Sequence, residues 1–130
     1  MDIIAALFMD EINLRQVAGP STRIDLSGIQ FSAVAPTALP LTWAPHLVVI
    51  LSCPEGQPTN AALEVVFFRG DTQIARNVQP VMIENGKFGY RLVRAEMEFT
   101  EYGRVEARCR VDQGPITVVP YTLLAPPEAE

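Results

Sequence analysis

A chain of 130 residues with 48% hydrophobic and 19% charged residues has enough apolar material for one self-sufficient core and too much for a disordered polypeptide. Its net charge of −5 repels a phosphate backbone and its 10 Lys and Arg residues are scattered, so nucleic acid is not the expected partner. The N-terminal run in MDIIAALFMDEI lacks a basic flank, is too short for a bilayer and is cut off by Asp10 and Glu11. The expectation is therefore no membrane insertion, no export signal and a cytoplasmic location.

Eleven prolines and eight glycines punctuate short runs rich in Val, Ile, Leu and Phe, the signature of an all-β chain. Residues 3–9 read as a strand apolar on both faces, and 11–17 as a weaker one ended by Gly19-Pro20. In 22–33, Ile24 and Leu26 share a face while Ile29 and Phe31 are out of phase with them, a shift that a β-bulge at Gly28 would repair. The stretch APTALPLTWAP, residues 35–45, holds three prolines and predicts an extended crossover that lays Leu39, Leu41 and Trp43 over a sheet end.

HLVVILSC, residues 46–53, follows as a strand with Leu47, Val49 and Leu51 on one face and His46, Val48 and Ile50 on the other. Residues 62–69 place Leu63, Val65 and Phe67 opposite Glu64, Val66 and Phe68, and Gly70-Asp71 turns the chain into 73–80. Asn85-Gly86 carries the strongest short-range hairpin signal. Beyond it Phe88, Tyr90 and Leu92 alternate, and Val93, Ala95, Met97 and Phe99 take over in opposite phase, which predicts a break near 92–94. Residues 101–112 alternate most cleanly, with Val105, Ala107, Cys109 and Val111 on one side and Arg104, Glu106, Arg108 and Arg110 on the other. Asp112-Gln113-Gly114 turns into a last strand over 116–124.

The expected fold is an antiparallel β-sandwich of about eight or nine short strands, immunoglobulin/C2-like, with no helix beyond a possible turn over 95–102. It occupies residues 1–124, followed by a loosely held acidic, proline-rich tail over 125–130. An antibody-type domain is not expected, because Trp43 precedes both cysteines instead of lying between them. Cys53 and Cys109 are expected to be reduced and buried, with a disulfide between them as the alternative.

Two segments carry a family resemblance. ALFMDEI with RIDLSGIQFSAVAPTALPLTWAPHLVVIL has the order of an opening strand, a strand–glycine–strand unit, a proline-rich crossover and a core strand. TEYGRVEARCRVDQGPITVVPYTL has the order of a terminal hairpin. Together they resemble small, uncharacterised bacterial single-domain β-sandwich proteins, a domain family of unknown function. The resemblance implies the fold and brings no catalytic residues; VAGPSTR departs from its pattern before the third strand.

Candidate chemistry is sparse. His46 is the single histidine and no serine or cysteine stands in a nucleophile motif, so a triad is not expected. No CxxC or HxxxH spacing supports zinc, and Asp2, Asp10, Asp25, Asp71 and Asp112 lie singly instead of in the pairs calcium needs. No cofactor is implied. Glu96, Glu98 and Glu101 read as a solvated face, and the basic stripe Arg104, Arg108 and Arg110, with Arg91 and Arg94 nearby, as cross-strand partners for those glutamates.

The informative excess is apolar. Val48, Ile50, Val66 and Phe68 occupy positions that a lone sandwich would leave polar, which implies a cover: the crossover, or another chain. The reading is a non-catalytic interaction or structural module, self-associating or part of a larger assembly. Its interface would be Val48, Ile50, Val66 and Phe68, rimmed by Arg104, Arg108 and Arg110. Phe68→Asp would then break association and spare the fold. The alternative is a small-ligand, lipid or carbohydrate binder using Trp43, Tyr90 and Tyr102; an enzyme has no motif behind it.

Overall fold

The computed structural model describes residues 1–16, 22–94 and 96–127. The predicted Gly19-Pro20 stop, Ala95 at the start of the possible helical turn, and the last three tail residues lie outside the described residues. Among the described residues the chain is all-β, with twelve strands and no helix.

A three-stranded antiparallel sheet runs β1 (Asp2–Phe8), β6 (His46–Cys53) and β9 (Lys87–Arg94), with β6 in the centre. A five-stranded sheet runs β4 (Ser32–Val34), β12 (Thr117–Leu124), β11 (Gly103–Val111), β7 (Asn60–Arg69) and β8 (Thr72–Met82). The hairpin β2 (Glu11–Gln16) with β3 (Thr22–Ser27), and the pair β5 (Leu41–Trp43) with β10 (Met97–Phe99), complete the structure. Every pairing is antiparallel except that of β4 with β12, which is parallel.

One core joins the two larger sheets. Phe8 of β1, Leu47, Val49 and Leu51 of β6 and Val93 of β9 pack with Leu63, Val65 and Phe67 of β7, Val105, Ala107 and Cys109 of β11, and Val119, Tyr121 and Leu123 of β12. Alternation explains the selection: every second side chain of each strand turns inward. Each large apolar side chain so buried contributes roughly 1.5–3 kcal/mol. Where the edges of β8 and β9 approach, side chains seal the seam: Gln79 Nε2 donates to the Leu92 carbonyl at 2.9 Å and Arg91 Nε to that of Pro80 at 3.3 Å.

Several expectations are corrected. Twelve strands replace eight or nine, because the 22–33 run divides into β3 and β4, the crossover contributes β5, and the 88–99 run divides into β9 and β10. Gly28 adopts φ +67°, yet it is no bulge: it lies where the chain leaves β3 for β4. Asn85-Gly86 forms a turn, with Lys87 N–H donating to Glu84 O at 3.1 Å, but its flanks do not pair. β8 belongs to β7 and β9 to β6, so this turn carries the chain from one sheet to the other. It is spliced to the end of β6 instead: Gly86 N–H donates to Cys53 O at 2.7 Å, and Asn85 Nδ2 to the carbonyls of Pro54 and Gln57 at 3.0 and 2.8 Å.

The crossover behaves as expected at its end, where Leu39, Leu41 and Trp43 pack against the core. The phase break near 92–94 is also real: β9 ends at Arg94 and β10 lies in another sheet. Cys53 and Cys109 are both buried and unpaired.

Phe67 is almost fully buried at the centre of the shared core. Phe67→Ala is expected to destabilise the fold by about 3–5 kcal/mol in urea unfolding, whereas Phe68→Ala, one residue along and facing outward, is expected to lose less than about 1.5 kcal/mol.

Candidate functional site

The residues singled out in the sequence fall on two surfaces, not one. β6 and β7 both direct alternate side chains into the shared core, so their remaining side chains point away from each other. Val48 and Ile50 therefore lie on the outer face of the three-stranded sheet. Val66, Phe68, Arg104, Arg108 and Arg110 lie on the outer face of the five-stranded sheet. A single interface built from both sets is excluded by this geometry.

On the three-stranded sheet the register aligns Leu7, Val48 and Leu92 in one row and Ala5, Ile50 and Tyr90 in the next, with Phe88 opposite Ser52. The first two rows carry no charged side chain, and the third holds Asp2, opposite Ser52. Val48, in the central strand, is completely buried although it stands apart from the main core cluster. Its neighbours stay open to solvent: Leu92 is 44% and Phe88 48% exposed, and Ile4, at the irregularity in β1, is 60% exposed.

The five-stranded sheet presents a mixed face. Arg108 lies over the Phe68 ring, 4.0 Å from its centroid. Glu64 takes Arg76 at 2.7 Å and Arg110 at 3.1 Å, while Glu106 takes Arg104 at 3.3 Å and Arg108 at 3.6 Å. The basic stripe is thus neutralised within its own face, by Glu64 and Glu106 and not by the expected Glu96, Glu98 and Glu101. Glu101 pairs with Arg69, at 3.2 Å. Arg91 and Arg94 belong to β9, on the other sheet. Next to its two arginines, Glu64 has its carboxyl held below the usual range, chiefly by the hydrogen bond from Arg76.

The three candidate aromatics do not converge. Tyr90 sits mid-strand on the outer face of the three-stranded sheet, and Tyr102 lies exposed in the loop before β11. Trp43 lines a cleft. This opening of about 350 Å³ is walled by Asp10, Gln30, Trp43, His46 and Tyr121, with Met9, Ala33, Ala44 and Pro45 between them.

A directional hydrogen-bond chain organises the cleft. Trp43 Nε1 donates to the Tyr121 hydroxyl at 3.2 Å, that hydroxyl donates to Gln30 Oε1 at 3.1 Å, and Gln30 Nε2 donates to Asp10 Oδ1 at 2.6 Å. Burial pushes the Tyr121 hydroxyl above its ordinary range, so it stays protonated and keeps its donor role. Asp10 lies so close to Gly28 that a Cβ there would fall 2.1 Å from Asp10 Oδ2; glycine is required both for that space and for its positive φ. In the sequence Asp10 stands singly, and neither Gln30 nor Tyr121 is a candidate site residue. No local pattern marks them, because the chain joins residues 91 and 78 positions apart.

Among the described residues no group of three or more His, Cys, Asp or Glu side chains is placed to hold a metal, and no helix is long and apolar enough to cross a membrane. Comparison with family models found no match, and neither did comparison with curated proteins.

Tyr121→Phe removes the central link of the chain and is expected to destabilise the fold by about 1–2 kcal/mol and to shift the emission of Trp43, the single tryptophan. The buried Cys109 thiol, pushed from the ordinary 9.0 up to about 12 by desolvation, keeps its proton in the native protein. The unfolded chain releases that proton above pH 9.0, so stability is expected to fall as pH rises from 9.0 toward about 12, and Cys109→Ala to flatten this decline in urea titrations across that window.

Proposed function

We propose that this protein is a non-catalytic interaction module that self-associates through the outer face of its three-stranded sheet. The observation that carries the reading is two adjacent apolar rows, Leu7, Val48 and Leu92, then Ala5, Ile50 and Tyr90, with Phe88 beyond them in the row of Ser52 and Asp2. Contiguous apolar surface on a sheet face is what an interface core requires, and charged side chains are depleted from such cores. By contrast the opposite face holds two glutamate–arginine networks that satisfy each other. A two-fold pairing of identical faces closes the surface without leaving a second apolar patch. The crossover does not serve as the cover, since Leu39, Leu41 and Trp43 pack against the main core.

In the same reading the two larger sheets are the layers of an immunoglobulin/C2-like sandwich; the shared core between them supports it. The unpaired buried cysteines support a reducing, cytoplasmic location.

Light scattering after size exclusion, over a dilution series, tests the proposal. The native protein is expected to run as a dimer that dissociates on dilution. Leu92→Glu is expected to yield a folded monomer, and Phe68→Asp, on the opposite face, to leave the dimer intact. A native protein that is monomeric at every concentration overturns the self-association.

A further inference from the structure

We propose that the cleft beside Trp43 is a binding site for a primary alkylammonium ion. The claim rests on the cleft alone and stands whether or not the protein self-associates. Its volume of about 350 Å³ lies at the lower end of the range of small-molecule pockets, which sets the size of the ligand.

The wall chemistry sets the charge. Asp10 is the one carboxylate in the cleft, and neither Lys nor Arg is among the lining residues. No ion pair to Asp10 forms among the described residues, although the Gln30 amide holds its Oδ1 in place. The donors that could have welcomed an anion are committed: the Trp43 N–H to Tyr121, the Tyr121 O–H to Gln30. The Trp43 indole lines the same opening, and an aromatic ring of this kind attracts cations. His46 also lines the opening, and its side chain makes no hydrogen bond among the described residues.

Two other classes fit less well. A metal ion would have only Asp10 and His46 as strong ligands, short of the three needed for a protein-held centre. A neutral ligand with a hydroxyl or amide donor can bond the carboxylate but leaves its charge uncompensated. An alkylammonium supplies three donors to Asp10 and its neighbours and a short apolar stem to the Ala33, Ala44 and Pro45 wall. The same chemistry is offered by a free amine and by a lysine side chain presented by another protein.

Trp43, the single tryptophan, reports directly on the site. Titrating the native protein with n-butylammonium chloride, against potassium chloride at equal ionic strength, is expected to change its fluorescence saturably. Asp10→Asn keeps an acceptor for Gln30 but removes the charge, and is expected to weaken binding by about tenfold or more. Ala44→Leu fills the cleft without touching the hydrogen-bond chain. It is expected to abolish binding while the indole N–H resonance of Trp43 keeps its position, which carries the test if Asp10→Asn fails to fold. A parallel titration with N-acetyl-lysine methylamide separates the sources: tighter binding of the free amine assigns a small molecule, tighter binding of the capped lysine a partner's side chain. The proposal is overturned if neither amine gives a saturable change beyond that of the potassium salt, or if the folded variants bind as tightly as the native protein.

Discussion

Strand β6 has both neighbours in place and both faces apolar, and that constraint organises the rest of the molecule. Leu47, Val49 and Leu51 need a second layer opposite them, which the five-stranded sheet provides through Leu63, Val65 and Phe67. Val48 and Ile50 need cover on the other side, and β1 and β9 bring Leu7, Ala5, Leu92 and Tyr90 alongside them in register. A strand with polar residues at alternate positions would let solvent end the structure at that sheet. Here the structure ends instead on a face whose central residue is dry and whose rim is greasy, and the proposed self-association follows from that.

The two outer faces solve the same surface problem differently. Glu64 on β7 holds arginines of both neighbouring strands, Glu106 holds two arginines of its own strand β11, and Arg108 caps the Phe68 ring. Such exposed pairs contribute little to stability, typically about 0–1 kcal/mol each. Their effect is on solubility and specificity, because a face dotted with satisfied charges resists apolar association. Among the described residues no ion pair joins β1, β6 and β9.

What could be read from the sequence was the period-2 content of individual strands. β11 and β7 alternate so regularly that their inward residues, Val105, Ala107 and Cys109 with Leu63, Val65 and Phe67, were legible in advance. Partnership was not legible. Asn85-Gly86 has the composition of a hairpin turn, and the turn is there, but whether its flanks pair depends on which strand each finds, and Asn85 is bound to the end of β6. For the same reason Val48 and Phe68 looked like one patch: alternation says that a side chain points outward without saying from which sheet. The Trp43 cleft was half visible. An aromatic in a proline-rich crossover is conspicuous, but Gln30, Tyr121 and Asp10 become its companions only through tertiary packing, across up to 91 residues of chain.

The parallel pairing of β4 with β12 bears on how the protein is made. Ser32–Val34 lies beside Thr122–Leu124, Ala35 N–H donates to Leu124 O at 2.9 Å, and the cleft chain passes through Tyr121 of the same strand. During synthesis, then, the early strands wait. β4 has no ladder and Trp43 no hydroxyl to donate to until residues 117–124 leave the ribosome. Until then the apolar strands β1 and β6 have only part of their second layer, and nascent chains in that interval are the ones a holding chaperone would find.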